Sequence, residues 1–348
     1  MKCILILVLF TLPSFTFSKQ AEITYSGWGE TGIIIEKQNI VNGPPIITYY
    51  AAKLQADIKI NKEIDAQIGV KGHSDTSQVE FNEFSLKFDY HDYFKVKAGH
   101  LKQPFGHEQQ TSHDNLLTFN RSNAHYAMAK MGYANRSVAI KGYYNFSKKR
   151  PEFPYSYAVS LFKNNSNNSG INIKGSQHFP DTVLSGYFQY QHKDGRSTIS
   201  IDSIGVGSDV LYQTKTSSMG VALFILEDPI ASFQNLEQNI IIEKSSLDQP
   251  NLDESVIAGT FQSFVSYRFK TNNTVFQSYE PILLTSLYVP IIDDLKSHEW
   301  QTAFGVNAYF TKEVRLRLQV DYLVTNKSTS EEPSINGSTV ELGLQASF

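Results

Sequence analysis

The chain has 348 residues, a net charge of −3, 41% hydrophobic, 19% charged and 13% aromatic residues. The small acidic excess argues against nucleic acid and against an anionic membrane surface as partners. The charged share is low for a soluble domain, and a single cysteine, Cys3, excludes a disulfide framework.

Met1 to Ser18 reads as an export signal: Lys2 is its positive start, Ile4 to Phe10 its apolar run, and Thr16 and Ser18 are small enough for cleavage. The run is too short for the roughly 20 apolar residues of a spanning helix. Cys3 is expected to leave with it. The expected organisation is a signal peptide over 1–18 and one barrel domain over 19–348.

Beyond the signal, apolar and polar residues alternate almost without a break, the period of a strand with one apolar and one polar face. A first strand is placed at Ile23 to Trp28. In Tyr50 to Ile60, Ala52, Leu54, Ala56 and Ile58 share one face, and Lys53, Gln55, Asp57 and Lys59 the other. Asn61-Lys62 then fits a hairpin turn into Ile64–Lys71. Val79 and Phe81 have the opposite parity to Phe84, Leu86 and Phe88, which predicts a bulge near Asn82.

Phe94 to Leu101 alternates again, and the pattern stops at Lys102-Gln-Pro-Phe, where Pro104 cannot donate to a ladder. A long polar segment follows, up to about Arg136. Loops of this length are usually functional or disordered, and rarely mere connections.

Further rows are Val138, Ile140, Tyr144 and Phe146; Met219, Val221, Leu223 and Ile225; Phe261, Val265, Tyr267 and Phe269; Trp300 to Phe310; and Leu316, Leu318, Val320 and Tyr322. Weaker candidates lie near 154–163, 182–193, 197–205, 234–244 and 274–289. Asn164 to Gly170, Ser245 to Glu254 and Lys327 to Gly337 read as long loops, and Asn61-Lys62 and Lys312-Glu313 as short turns. The total is about 16 strands, an even number with unequal rims, as in outer-membrane barrels. Val340, Leu342, Leu344, Ala346 and Phe348 carry the alternation to the last residue. The polar rows contain too few apolar residues for a packed sandwich core. They fit a water-filled lumen, with the apolar rows facing outer-membrane lipid.

The segment after Phe94 carries a resemblance. Ala98, Gly99, Lys102, Pro104, Phe105, Gly106, Glu108, Thr111, Ser112, Leu116, Leu117, Phe119, Arg121 and Ser122 resemble the strand end and pore-narrowing loop of phosphate- and polyphosphate-selective porins of the O/P type. Asn120 departs from that pattern, which has an acidic residue before the Arg. The resemblance implies a 16-stranded all-β transmembrane barrel with an inward-folded constriction loop, a homotrimer, and passive passage of small anionic or polar solutes such as phosphate. The barrel carries basic residues on its polar rows, among them Lys53, Lys71, Lys87, Lys141, Arg268, Arg315 and Arg317, and acids such as Asp57, Asp65, Asp89, Asp321 and Glu341. Selectivity therefore depends on which charges stand at the narrowest point. Lys95, Lys97, Lys102 and Arg121 are the expected solute-binding residues, with Glu108 and Asp114 as competing salt-bridge partners.

His100, His107, His113 and His125 lie near Glu108, Ser112 and Asp114, but their spacing matches no zinc site or helical ligand pair. No Gly-rich turn opens a helix, so no nucleotide signal is present. The expectation is a channel, without enzymatic activity or cofactor. A general or cation-preferring porin is the nearest alternative, and a barrel adhesin or hydrolase the more distant one.

Overall fold

The computed structural model describes residues 21–37, 46–74, 78–163, 168–194, 200–227, 256–292, 297–326 and 335–348. The expected signal peptide, the strand at 234–244 and the loop at Ser245 to Glu254 lie outside these residues.

The first half of the barrel consists of β1 (Glu22–Lys37), β2 (Ile46–Lys59), β3 (Ile64–His73), β4 (Gln78–His91), β5 (Phe94–Lys102), β6 (Arg136–Tyr144), β7 (Tyr155–Lys163) and β8 (Asn168–His178). The second half consists of β9 (Thr182–Asp194), β10 (Ser200–Gln213), β11 (Ser217–Glu227), β12 (Ile257–Tyr267), β13 (Phe269–Lys270), β14 (Ser278–Val289), β15 (His298–Tyr309), β16 (Val314–Asn326) and β17 (Ile335–Ser347). Because β13 continues β12 past Arg268, the described residues form a closed antiparallel barrel of 16 strands. Each strand pairs with its chain neighbours. β1 meets β17 from Trp28↔Ser347 to Lys37↔Ser338.

Exposure follows the parity read from the sequence, with the sign a membrane requires. Leu223 is 53% exposed and Phe224 2%, while Leu342 and Leu344 stand outside and Glu341 and Gln345 are buried inside. An apolar outer row is stable only against lipid, and closure leaves no unpaired edge there. Among the described residues no helix is long and apolar enough to cross a membrane.

Local chemistry makes the short-turn rim. Asn61 Oδ1 accepts from the Glu63 and Ile64 amides (both 2.8 Å), which fixes the β2–β3 turn. Thr311 Oγ1 does the same for Glu313 and Val314 (both 3.1 Å) between β15 and β16. The bulge falls at Asn82: the register passes from Gly69↔Glu83 to Val70↔Phe81, so Phe81 and Phe84 both face outward.

Some sequence expectations change. The pairing of β1 with β17 begins at Trp28, where the expected first strand ends, because β1 runs on to Lys37. Asn168 to Gly170 open β8 instead of ending a loop. β10 reaches Gln213, β14 begins at Ser278 and β17 begins at Ile335. β8 itself is an addition. The count of about 16 holds although 234–244 lies outside the described residues, where β11 pairs directly with β12.

Candidate functional site

Residues 103–135 connect β5 to β6 through the inside of the barrel. Gly106 (φ 78°) and Gly132 (φ 93°) turn the chain into and out of the lumen in the left-handed region that glycine tolerates. Phe105, fully buried, anchors the entry by packing on Phe224 (5.2 Å), Tyr133 (5.5 Å) and Tyr187 (5.9 Å). A short helix, His107–Gln110, then carries Glu108. Its carboxylate accepts from Ser122 Oγ (2.7 Å), and that same oxygen caps the helix Asn123–Lys130 by accepting from the His125 amide (3.1 Å). Burial raises the pKa of Glu108.

The far wall holds the loop by side chains. Arg315 Nη2 donates to the carbonyls of Asp114 (2.9 Å) and Leu116 (2.8 Å). Arg317 donates to Thr118 O, stands over the Phe119 ring (4.4 Å) and pairs with Glu30 at 2.9 Å. Gln319 accepts from the Phe119 amide (2.9 Å), Gln301 from that of Asn123 (2.8 Å) and Ser286 from that of Ala124 (3.1 Å). Asn120 donates to Glu341 (3.2 Å). An acid at 120 would instead set two carboxylates face to face, which gives the departure from the family pattern a physical reason.

Because the loop lies on the wall of β8 to β17, open space remains along β1 to β6. A cavity of about 570 Å³ there is lined by Lys53, Lys71, Lys102, Arg121 and Arg136, with Glu80 as its one carboxylate, and also by Trp28 and Tyr126. Lys102 Nζ (3.0 Å) and Arg121 Nη2 (2.8 Å) donate to the same Thr111 carbonyl. Arg121 Nε donates to Glu108 O (3.0 Å), so neither cation meets a carboxylate within hydrogen-bond distance among the described residues. Lys53 faces Lys71 across β2 and β3, and Lys102 faces Arg136 across β5 and β6. Like charges directly opposite destabilise a sheet. Trp28 supports the cluster: Lys71 lies 5.6 Å above its ring and His113 stacks on it at 4.5 Å.

Lys95 and Lys97 stand elsewhere. Lys95 pairs with Asp89 (3.2 Å), and Lys97 pairs with Glu83 (2.8 Å) and donates to Gln67 (2.9 Å). A second cavity, about 430 Å³, lies further along β1 to β5 towards the short turns, with Lys59, Lys87 and Lys97 against Glu22, Asp57 and Asp65. Of the four expected residues, the structure therefore brings Lys102 and Arg121 together and leaves Lys95 and Lys97 outside. The competing salt bridges from Glu108 or Asp114 to Lys102 or Arg121 are absent among the described residues: Arg121 donates to the backbone oxygen of Glu108. Sequence reasoning put Lys53 and Lys71 on the polar face without assigning them to the site, and it missed Arg136. Their level along the barrel depends on register, which alternation alone does not give.

The loop histidines pack against different walls. His107 stacks on Phe264 (6.0 Å), His113 on Trp28, and Ser112 bonds Asn115 (2.7 Å). Burial lowers the pKa of all three loop histidines, that of His125 to about 3. The positive charge of the chamber therefore comes from lysine and arginine. Among the described residues no three His, Cys, Asp or Glu converge as for a metal.

Comparison with known proteins agrees with this geometry. Residues 50–199 match the family profile of phosphate-selective porin O and P. The fold resembles the anion-selective porin from Comamonas acidovorans at 11% identity, with 94% of this chain and 100% of that one covered and a TM-score of 0.67. It also resembles the outer membrane channel DcaP of Acinetobacter baumannii (13% identity, 97% and 100% covered, TM-score 0.64). The trimer form of OmpT of Vibrio cholerae matches at 10% identity, with 95% and 100% covered and a TM-score of 0.60. No curated protein matches in sequence. The barrel is one that porins share, and residues 50–199 carry the O/P porin profile.

Proposed function

We propose that this porin conducts small anions, phosphate among them, by passive diffusion along β1 to β6, and selects them in the chamber at Lys102 and Arg121. The observation that carries this reading is the set Lys53, Lys71, Lys102, Arg121 and Arg136 around one cavity, with Glu80 the one carboxylate of its lining and Glu83 pairing Arg136 from outside it. Cations in a narrow, partly desolvated space act on an ion more strongly than in bulk water, because the effective dielectric falls. Arg121 spends Nε and Nη2 on loop carbonyls, and its Nη1 has no partner among the described residues. That edge suits an oxyanion, and the Lys102 ammonium beside it adds a point charge. Lys95 and Lys97, neutralised by Asp89 and Glu83, belong to a vestibule that tolerates either sign of ion. The family profile supports phosphate, the printed selectivity of the Comamonas porin supports anions in general, and the OmpT trimer form supports a homotrimer in outer-membrane lipid.

The test is zero-current potential in a potassium chloride gradient for Lys102→Glu and Arg121→Glu, singly and together, with added phosphate as a blocker of chloride current. Anion preference should weaken in each single variant and reverse in the pair, and phosphate block should be lost. Because Arg121 also holds the loop, Lys53→Glu, which touches no loop carbonyl, serves as the second variant. Unchanged selectivity in the double variant and in Lys53→Glu would overturn the reading.

A further inference from the structure

A second group of cations lies outside the chamber, on the inner face of β6, β7 and β8. The register places Lys141 opposite Ser160, and Ser160 opposite Asn172, with Lys174 two residues along the same face. Their chain neighbours Ile140, Val159 and Ile173 are exposed on the lipid side, so the four polar residues share the inner side.

Asn172 is 0% exposed, and neither its amide nitrogen nor its amide oxygen has a partner among the described residues. Ser160 Oγ, in a residue 2% exposed, is in the same position. Buried polar groups in folded proteins are almost always hydrogen-bonded, and an amide orphaned at both ends calls for a bound species. The charges beside it point to what that species is. Lys141 makes no ion pair among the described residues, its one contact being the Tyr143 ring at 5.1 Å. Lys174 donates to Gln110 (2.9 Å) and lies 5.6 Å from the Tyr187 ring centre, also without an ion pair.

The carboxylates whose fields reach them are Asp209 for Lys174 and Glu83 for Lys141. Both are engaged elsewhere. Asp209 accepts from Tyr187 Oη (2.6 Å), and Glu83 is bridged by Lys97 (2.8 Å) and Arg136 (3.2 Å). The loop covers the group from the lumen: Gln110 comes from its first helix, and Gln189, opposite Asn172, holds Gly132 O at 3.2 Å.

We propose that Lys141, Ser160, Asn172 and Lys174 form an enclosed site for one small inorganic anion, of halide or phosphate chemistry, behind the constriction loop. Lys141 and Lys174 supply the charge, and Asn172 Nδ2 and Ser160 Oγ donate to the anion, while Asn172 Oδ1 is left to accept from a lysine. Through Lys174 and Gln110 the anion also fastens the loop's first helix to the wall. Water satisfies the amide equally well but leaves two neighbouring ammonium groups without a counter-charge, and it is the competing outcome. None of the four residues lines the selectivity chamber, so this site stands or falls separately from the ion preference of the channel.

The experiment uses the full mature barrel, with bromide and arsenate as anomalous scatterers for the two anion chemistries. Crystals grown with either probe should show an anomalous peak between Lys141 and Lys174, within hydrogen-bond distance of Asn172. Bromide alone would assign a halide, and both together an oxyanion-tolerant site. Lys141→Met/Lys174→Met should lose that peak and keep any peak at Lys102 and Arg121. Thermal unfolding gives the solution reading: the midpoint of the wild type should rise with bromide or phosphate more than with matched fluoride. That difference should vanish in the double variant, or in Lys174→Gln if the double variant does not fold, and persist in Lys53→Met. No peak in the wild type, or an anion-dependent shift that survives the lysine changes, overturns the proposal in favour of water.

Discussion

Two levels of the same wall, the chamber and the vestibule, are built from the same strands and carry similar numbers of lysines, yet they differ in what those lysines meet. In the vestibule Lys87 bridges Asp65 (2.7 Å) and Asp89 (3.1 Å), and Lys95 shares Asp89 (3.2 Å). In the chamber Lys53 faces Lys71, Lys102 faces Arg136, and two cations share a carbonyl. Like charges that face each other directly destabilise the sheet. On the proposed reading, the clustering of cations, more than their number, sets where the pore discriminates. The net charge of −3 is therefore no guide to ion preference.

The strongest way to break the contrast is to release the loop. Arg317 and Glu30 form a pair with side chains 1% and 3% exposed. Arg317→Ala leaves the buried Glu30 without its arginine, held by Tyr49 (3.0 Å), Gln345 (2.9 Å) and His113 (3.4 Å), a change worth about 3–5 kcal/mol in such settings. It should raise single-channel conductance and blunt ion preference, because the chamber loses its inner wall; unchanged conductance in a folded barrel would show that Arg317 does not hold the loop. Next comes Glu83, the boundary between the two levels, which bridges Lys97 and Arg136. Glu83→Gln frees both cations and should extend the positive zone into the vestibule. Anion preference in a salt gradient should then rise above that of the wild type.

A smaller effect is expected from pH. Burial holds His125 at about 3 against an ordinary 6.5 and lowers His107 and His113 as well. The docked loop keeps these rings neutral, whereas a released loop protonates them below about 6.5. Docking is thus fully supported above that pH and weakens as pH falls below it, for His125 until about 3 and by at most about 1.4 kcal/mol per unit. Glu108 acts in the opposite sense, since its raised pKa makes docking favour the protonated form. Three histidines against one carboxyl predict noisier and larger conductance at pH 4 than at pH 7, read from current traces (roughly a factor of ten in loop opening per 1.4 kcal/mol).

Much of the barrel was legible because lipid and water impose opposite demands on alternate residues. Leu316, Leu318 and Val320 could only face out, and the parity change at Phe81 and Phe84 could only be a bulge. β8 was not legible: its outer row is diluted by Gly175, and its Asn-rich start resembles a turn. Within the site, Lys102 and Arg121 came from a resemblance carried by the loop residues that brace it, such as Phe105 and Glu108. The partners of Lys95 and Lys97 were not legible, because the acids that pair with them, Asp89 and Glu83, lie on the neighbouring β4, and only the register reveals such neighbours.

The central claim is that the cations clustered around the chamber, and not lumen lysines in general, set the selectivity. The measurement is zero-current potential across a planar bilayer in a potassium chloride gradient, with two charge-matched variants compared against the wild type. The account predicts an anion-signed potential for the wild type, a clear fall for Lys53→Gln/Lys71→Gln, and little change for Lys87→Gln/Lys95→Gln. Equal falls in the two variants, or a cation-signed wild type, would contradict it.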